Sequence, residues 1–282
     1  MAILTLARKY GSGGREIGQA IAGQLNYDYI DRRIILDDMK AEGKQWEDRA
    51  KFFDENYPNI WERYDWSFRG FVALNQSFFL KYALKDKAVI MGRGGNFILK
   101  GIPHVLRVRT IAPIEKRTEK VMEREGVNSE TARLLIEKAD SEMAGLIYLI
   151  YGKDWDNPGE YEMVFNTGIQ NPDEIIATIK NGLLEKEKFN TEKARNILQL
   201  RALAAKIKAE IATNPQYSIS VLDVDPKEER MTEKGLVIRG ILHNQNDIQK
   251  IKETAQKLAG NIPVECELQY RWLSRLGPWQ FK

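Results

Sequence analysis

Ala2-Ile3-Leu4-Thr5-Leu6-Ala7, followed at once by Arg8-Lys9-Tyr10-Gly11-Ser12-Gly13-Gly14-Arg15-Glu16-Ile17-Gly18, is the stretch that decides the fold. An apolar run of strand length breaks into Gly11, Gly13 and Gly14. A segment with apolar residues at Ile17, Ala20, Ile21, Ala22 and Leu25 follows, the stripe of a helix. A strand, a glycine loop and a helix in that order can hold phosphate. Glycine lets successive backbone N–H groups turn inward, and the helix N-terminus adds partial positive charge. The lysine that usually follows the last glycine of such a loop is absent here.

Outward from this stretch, strand and helix signals keep alternating. Asp28–Ile30, Ala88–Met91, Val105–Arg109 and Met163–Asn166 read as strands. Helices are expected over 32–40, 113–125, from Asn128 or Ser129 to 151, and 172–187. Strands alternating with helices predict an α/β fold, a parallel sheet with helices on both faces. The stretch 45–84 is rich in aromatics, among them Trp46, Phe53, Tyr57, Trp61, Tyr64, Phe68, Phe71 and Phe79. Such a set reads as core or a partner-facing surface, with base stacking by one or two rings as the alternative.

Residues 185–193 are charged and weakly patterned, and the domain boundary is placed there. The first domain is expected over 1–187. A small α+β module of order α-β-β-α-β is expected over 191–271, and an aromatic tail over 272–282.

Composition narrows the chemistry. The 282 residues carry 43 basic and 40 acidic side chains, a net charge of +3 that gives no argument for nucleic acid or an anionic membrane. No stretch reaches the length of a membrane span. With one cysteine, Cys266, no internal disulfide forms, and a cytoplasmic setting is the simplest expectation. Two histidines and one cysteine disfavour a dedicated zinc site, and the ligands of any metal stay unknown. No serine sits in a nucleophile-elbow pattern.

Residues 1 to about 187 resemble the cytidylate kinase-like family, a branch of the P-loop nucleoside monophosphate kinases. Four segments carry the resemblance: 10–18, Tyr29-Ile30-Asp31-Arg32, Val89-Ile90-Met91-Gly92-Arg93-Gly94-Gly95-Asn96, and 154–167 with Asp154, Asp156, Pro158, Tyr161 and Asn166. The resemblance implies a P-loop kinase-like fold and ATP-dependent phosphoryl transfer, with magnesium, to a nucleotide or other small acceptor. The alternative is a nucleotide-binding regulatory protein of weak or no activity.

True cytidylate kinases read Gly-x-Gly-Lys-Gly-Thr before their first helix. Matching the apolar stripe without a gap puts Gly14 in the lysine slot, Arg15 in the next glycine slot and Glu16 in the threonine slot. Sliding by one gives Arg15 the lysine slot but misplaces the stripe. Lys9, Gly11, Ser12, Gly13, Gly14, Arg15 and Glu16 are therefore expected at the donor phosphates. Arg117 matches the donor-side arginine near the base. Arg93 matches the arginine that binds the acceptor phosphate, and Arg15 and Arg93 are the expected catalytic cations. Asp31 and Arg32 are expected on the acceptor side, with a helix cap as the rival role for Asp31. Where the family has Asp-x-x-Arg in its lid, this chain reads Asp140-Ser141-Glu142-Met143, so that lid arginine is missing. Gly94 stands where cytidylate kinases have aspartate, so cytosine selectivity does not carry over.

The module over 191–271 resembles a BON domain in its element order and in Gly235-Leu236-Val237-Ile238-Arg239-Gly240. That implies phospholipid or ligand binding; an intramolecular regulatory or homo-oligomerising role is the other expectation.

Overall fold

In a computed structural model of the chain, the structure describes residues 1–55, 58, 65–92, 94–227 and 235–271. Arg93, Tyr57, Trp61, Tyr64 and the 272–282 tail lie outside the described residues. The described residues fall into two compact units. The first holds the described part of Met1–Asn59 and Phe78–Gln199; the second holds the described part of Ile60–Ser77 and Leu200–Lys282.

The first unit is built on five strands: β1 (Ile3–Arg8), β2 (Asp28–Ile30), β3 (Ala88–Met91), β4 (Val105–Ile111) and β5 (Met163–Asn166), in the order β2-β3-β1-β4-β5. All four pairings are parallel. Parallel strands need crossover connections, and here helices supply them: α1 (Gly14–Leu25) follows β1, and α2 (Arg32–Glu42) and α3 (Lys44–Glu55) follow β2. Helix α4 (Trp66–Ala83) precedes β3, and the short α5 (Gly95–Ile98) follows it. Helices α6 (Ile114–Glu125) and α7 (Ser129–Tyr151) lie between β4 and β5, and α8 (Pro172–Glu187) follows β5.

The central strands are apolar on both faces, as burial under two helical layers requires. Leu4, Leu6, Ile17, Ile21, Val89, Leu106, Val108, Ile175 and Ile179 share one core. The chain leaves β1 toward β2 on one side and later crosses from β3 to β4 on the other. Ligands of open α/β sheets lie at the strand C-termini beside such a reversal.

Most described aromatics of the 45–84 stretch are core: Trp46, Phe53, Phe68, Phe71, Phe78 and Phe79 are all buried, while Phe52 and Trp66 are exposed.

The second unit carries β6 (Ile219–Pro226), β7 (Leu236–Leu242) and β8 (Val264–Tyr270), with β6–β7 antiparallel and β7–β8 parallel. The C-terminal part of α9 (Glu192–Thr213) and α10 (Asp247–Ala259) cover one face, burying Ile207, Ile211, Ile238, Ile251 and Ala255. Chain order is α-β-β-α-β, as the periodicity predicts. Arg69, from the described part of 60–77, donates to the Ile219 carbonyl at 2.6 Å within this unit.

Candidate active site

The loop after β1 is held from behind by β4. Lys9 N–H donates to Thr110 O at 3.0 Å, and the Ser12 hydroxyl lies 3.0 Å from Thr110 Oγ1. Thr167 Oγ1 donates to Ser12 O at 2.7 Å. Ser12 is thus buried in the scaffold, with its hydroxyl spent on β4. Gly11 and Gly13 take positive φ values of 80° and 73°, which side chains resist. Helix α1 opens at Gly14, and no side chain caps it. Its first amides have no intrahelical partner, so they stand ready for an anion. Arg15 and Glu16 are exposed in its first turn.

In front of the loop lies a cavity of about 270 Å³. Arg8, Arg32, Phe53, Asp140, Met143 and Trp155 are among the residues that line it, with Gly92 at the end of β3. Three strands therefore feed one space: β1 through Arg8, β2 through the start of α2, and β3 through Gly92.

The lid side of the cavity is already neutralised. Asp140 on α7 accepts from the Tyr10 amide at 3.0 Å and from Arg117 Nη1 at 2.6 Å, and lies 3.8 Å from Lys9 Nζ. Lys9 Nζ donates to Asp156 at 2.9 Å and sits 5.4 Å from the centre of the Trp155 ring. Arg109, buried in β4, donates to Asp156 and to the Trp155 carbonyl. Its guanidinium stacks over Trp155 at 4.5 Å and Tyr161 at 5.3 Å. Burial works to raise the Asp156 carboxyl, but the hydrogen bonds and charges of Lys9 and Arg109 outweigh it and hold it below the usual carboxylate value. Asp154 Oδ1 accepts the Asp156 amide at 2.8 Å, so Asp154 shapes the turn.

The residues expected from sequence separate into three groups. Gly11, Gly13, Gly14, Arg15 and Glu16 surround the open end of α1. Lys9 and Arg117 lie beside the loop, each tied to a carboxylate. Asp31 caps α2, accepting from the Arg33 amide at 3.0 Å and the Ile34 amide at 3.5 Å, and Arg32 on the next residue lines the cavity. Met143, in the slot of the lid arginine, lines the cavity as well.

Sequence reasoning missed Arg8, Arg109 and Lys120. Arg109 was signalled by a charge at a core position of β4. Lys120 has no such signal: its Nζ comes within 2.9 Å of where a Cβ on Gly13 would lie. Arg8 was signalled by its place as the last residue of a buried strand, directly ahead of the loop.

Residues 3–169 match the cytidylate kinase-like family. The cytidylate kinase of Pyrococcus horikoshii is 25% identical over 179 residues, covering 63% of this chain and 86% of that protein. That of Methanopyrus kandleri is 26% identical over 197 residues, covering 66% and 96%. A 100-residue stretch is 33% identical to the uronate isomerase of Corynebacterium glutamicum, but it covers only 18% of that protein. In fold, an uncharacterized protein from Eubacterium ventriosum superposes with a TM-score of 0.52 at 19% identity, covering 65% of this chain and 98% of that one. Among the described residues no helix is long and apolar enough to cross a membrane.

Proposed function

The chain belongs to the cytidylate kinase-like family, and from that premise we propose that its first unit is an ATP-dependent phosphotransferase acting on a small acceptor, with a nucleoside monophosphate as the leading candidate. The observation that carries this reading is the uncapped N-terminus of α1 opening beside a cavity that Arg8 and Arg32 line. Phosphoryl transfer asks the protein for positioning and charge compensation more than for covalent chemistry. In this reading the Gly11–Gly14 amides and Arg15 hold the donor phosphates. Arg32 and Arg93 take the acceptor phosphate, and Asp31 positions Arg32 by capping its helix. Arg117 lies on the donor side.

Among the described residues no group of three His, Cys, Asp or Glu side chains is placed to hold a metal ion. In this reading magnesium arrives with the triphosphate and keeps most of its water, and Glu16 in the first turn of α1 is the candidate carboxylate for it.

A coupled assay for ADP release by the full chain, run across nucleoside monophosphates, tests the reading. Acceptor-dependent turnover is the expected result; ATP binding with no turnover on any acceptor overturns it. A second reading has its own observation: Lys9 and Arg117 are already neutralised by Asp156 and Asp140, and Met143 replaces the lid arginine. It makes the protein a nucleotide sensor of weak activity, with the module over 191–271, BON-like in its element order, as the responding partner. It predicts that saturating ATP changes the scattering profile of the full chain.

A further inference from the structure

A lysine at position 14 does not fit this loop. A Cβ on Gly14 would lie 2.4 Å from Thr110 Oγ1, 2.9 Å from Arg8 Cβ and 3.2 Å from Arg8 Cδ. The stem of Arg8 therefore runs across the first residue of α1, through the space that a side chain at position 14 would need. Its head continues to the neighbouring strand: Arg8 Nη1 lies 3.3 Å from the Cβ position of Gly92, the residue after β3. The guanidinium thus lies between the donor loop and the turn after β3, on the wall of the cavity.

The other cations of the loop's lid side, Lys9, Arg109 and Arg117, each have a carboxylate partner. The backbone of Arg8 pairs with β4, but its side chain makes no hydrogen bond or ion pair with any of the described residues. The carboxylates of Glu16 and Asp31 act on it only from beyond ion-pair range. Burial, with a contribution from Arg15, pushes it below the ordinary arginine value. A guanidinium stays charged in a protein, and a charge partly withdrawn from water without a partner carries a cost. The chemistry that relieves this cost is an anion with several oxygens, which the planar fork can bridge.

We propose that Arg8 engages the terminal phosphoryl group of the bound nucleoside triphosphate, supplying from the end of β1 the positive charge that a loop lysine supplies elsewhere. This rests on the phosphotransferase reading above. In the step it serves, the bond from the γ-phosphorus to the β-bridging oxygen breaks, and the nucleoside diphosphate keeps the electron pair. A bond forms from that phosphorus to an oxygen of the acceptor's phosphate dianion, which has no proton to lose. Arg8 compensates the charge on the equatorial oxygens throughout.

The test compares the full chain with Arg8→Gln, Arg8→Lys and Arg15→Gln, using ATP and ADP binding by calorimetry beside turnover. Arg8→Gln is expected to lower kcat by about 100-fold or more while KM moves little, in line with the loss of one charge-stabilising donor. Arg8→Lys recovers part of the rate, Arg15→Gln loses less, and the melting temperature of Arg8→Gln does not fall. Turnover of Arg8→Gln within about threefold of wild type overturns the proposal.

If the wild type binds ATP without turnover, the phosphotransferase reading has failed and Arg8 is judged separately, by the preference for ATP over ADP. Loss of about tenfold in that preference in Arg8→Gln supports the proposal, and an unchanged preference overturns it. Should the glutamine variant fail to fold, Arg8→Lys carries the same comparison, with a smaller loss in the same quantity supporting the proposal and wild-type behaviour overturning it.

Discussion

The two ends of the parallel strands each hold a basic side chain without a hydrogen-bond partner among the described residues, His104 fully buried and Arg8 partly exposed, and they deal with it in opposite ways. At the strand N-termini His104 is fully buried, both ring nitrogens unpaired, with Asp86 at 3.7 Å. Burial pushes its pKa down, against the pull of Asp86, so the ring stays neutral and that end can close over it. Ile3 N–H donates to His104 O and Asp28 N–H to Lys87 O, completing that end. At the strand C-termini Arg8 has no neutral form to retreat to. A cavity stands in front of it. An unpaired base that can discharge becomes packing, and one that cannot becomes a site for an anion.

The largest expected effect lies at Gly14. Gly14→Ala places a methyl against Thr110 and the stem of Arg8, and overpacking of this kind costs about 1–3 kcal/mol. Because Arg8 must shift, ATP affinity should fall by about tenfold as well, measured by urea unfolding beside calorimetry. Lost stability with unchanged affinity would separate Arg8 from the ligand.

At the opposite end Asp86→Ala removes one of the two acceptors of Asn190 Nδ2 and the partner of the Met1 ammonium, and puts alanine at a φ of 57°; a loss of about 1–2 kcal/mol is expected. Nucleotide affinity should not change, and a changed affinity would end the division of labour between the two ends.

Asp31→Ala tests the acceptor side. The carboxylate caps α2, so a loss of about 1 kcal/mol in stability is expected, with the acceptor KM rising by about twofold through Arg32. A KM rise without loss of stability would make Asp31 a direct ligand.

The smallest effect is in pH. The folded-state pKa of His104 lies below the ordinary 6.5, so below that value the unfolded chain takes up a proton that the folded chain refuses. Its contribution to stability is present above pH 6.5 and is lost as pH falls. Asp156 is also depressed, from 3.8, so its ion pairs persist above that value and are lost only as pH falls through its folded-state pKa. Urea midpoints should begin to fall below pH 6.5 in the wild type, and His104→Leu should remove this first decline.

Much of the architecture was legible in the chain. The stripe Ile17-Ile21-Ala22-Leu25, the buried runs at 88–91 and 105–109, and the cap at Asn128 mark elements through local patterns of period and capping. The site was legible only in part. The bend at Gly11 and Gly13 and the helix start at Gly14 were readable because a turn to positive φ and an open helix end are local. The partners of Lys9 and Arg117 were not, because Asp140 and Asp156 come from segments more than twenty residues away.

The sequence by itself determined a parallel α/β unit opening on a glycine loop and an α-β-β-α-β unit after it, since strand and helix periods and glycine positions are properties of short segments. Only the tertiary structure decided that, among the described residues, Lys9, Arg109 and Arg117 find carboxylates and the Arg8 side chain does not. The stem of Arg8 lies over Gly14 because β1, β3 and β4 are laid side by side, and the carboxylates that neutralise its neighbours arrive on α7 and on the turn before β5. Charge compensation depends on distance in space, which chain spacing does not carry.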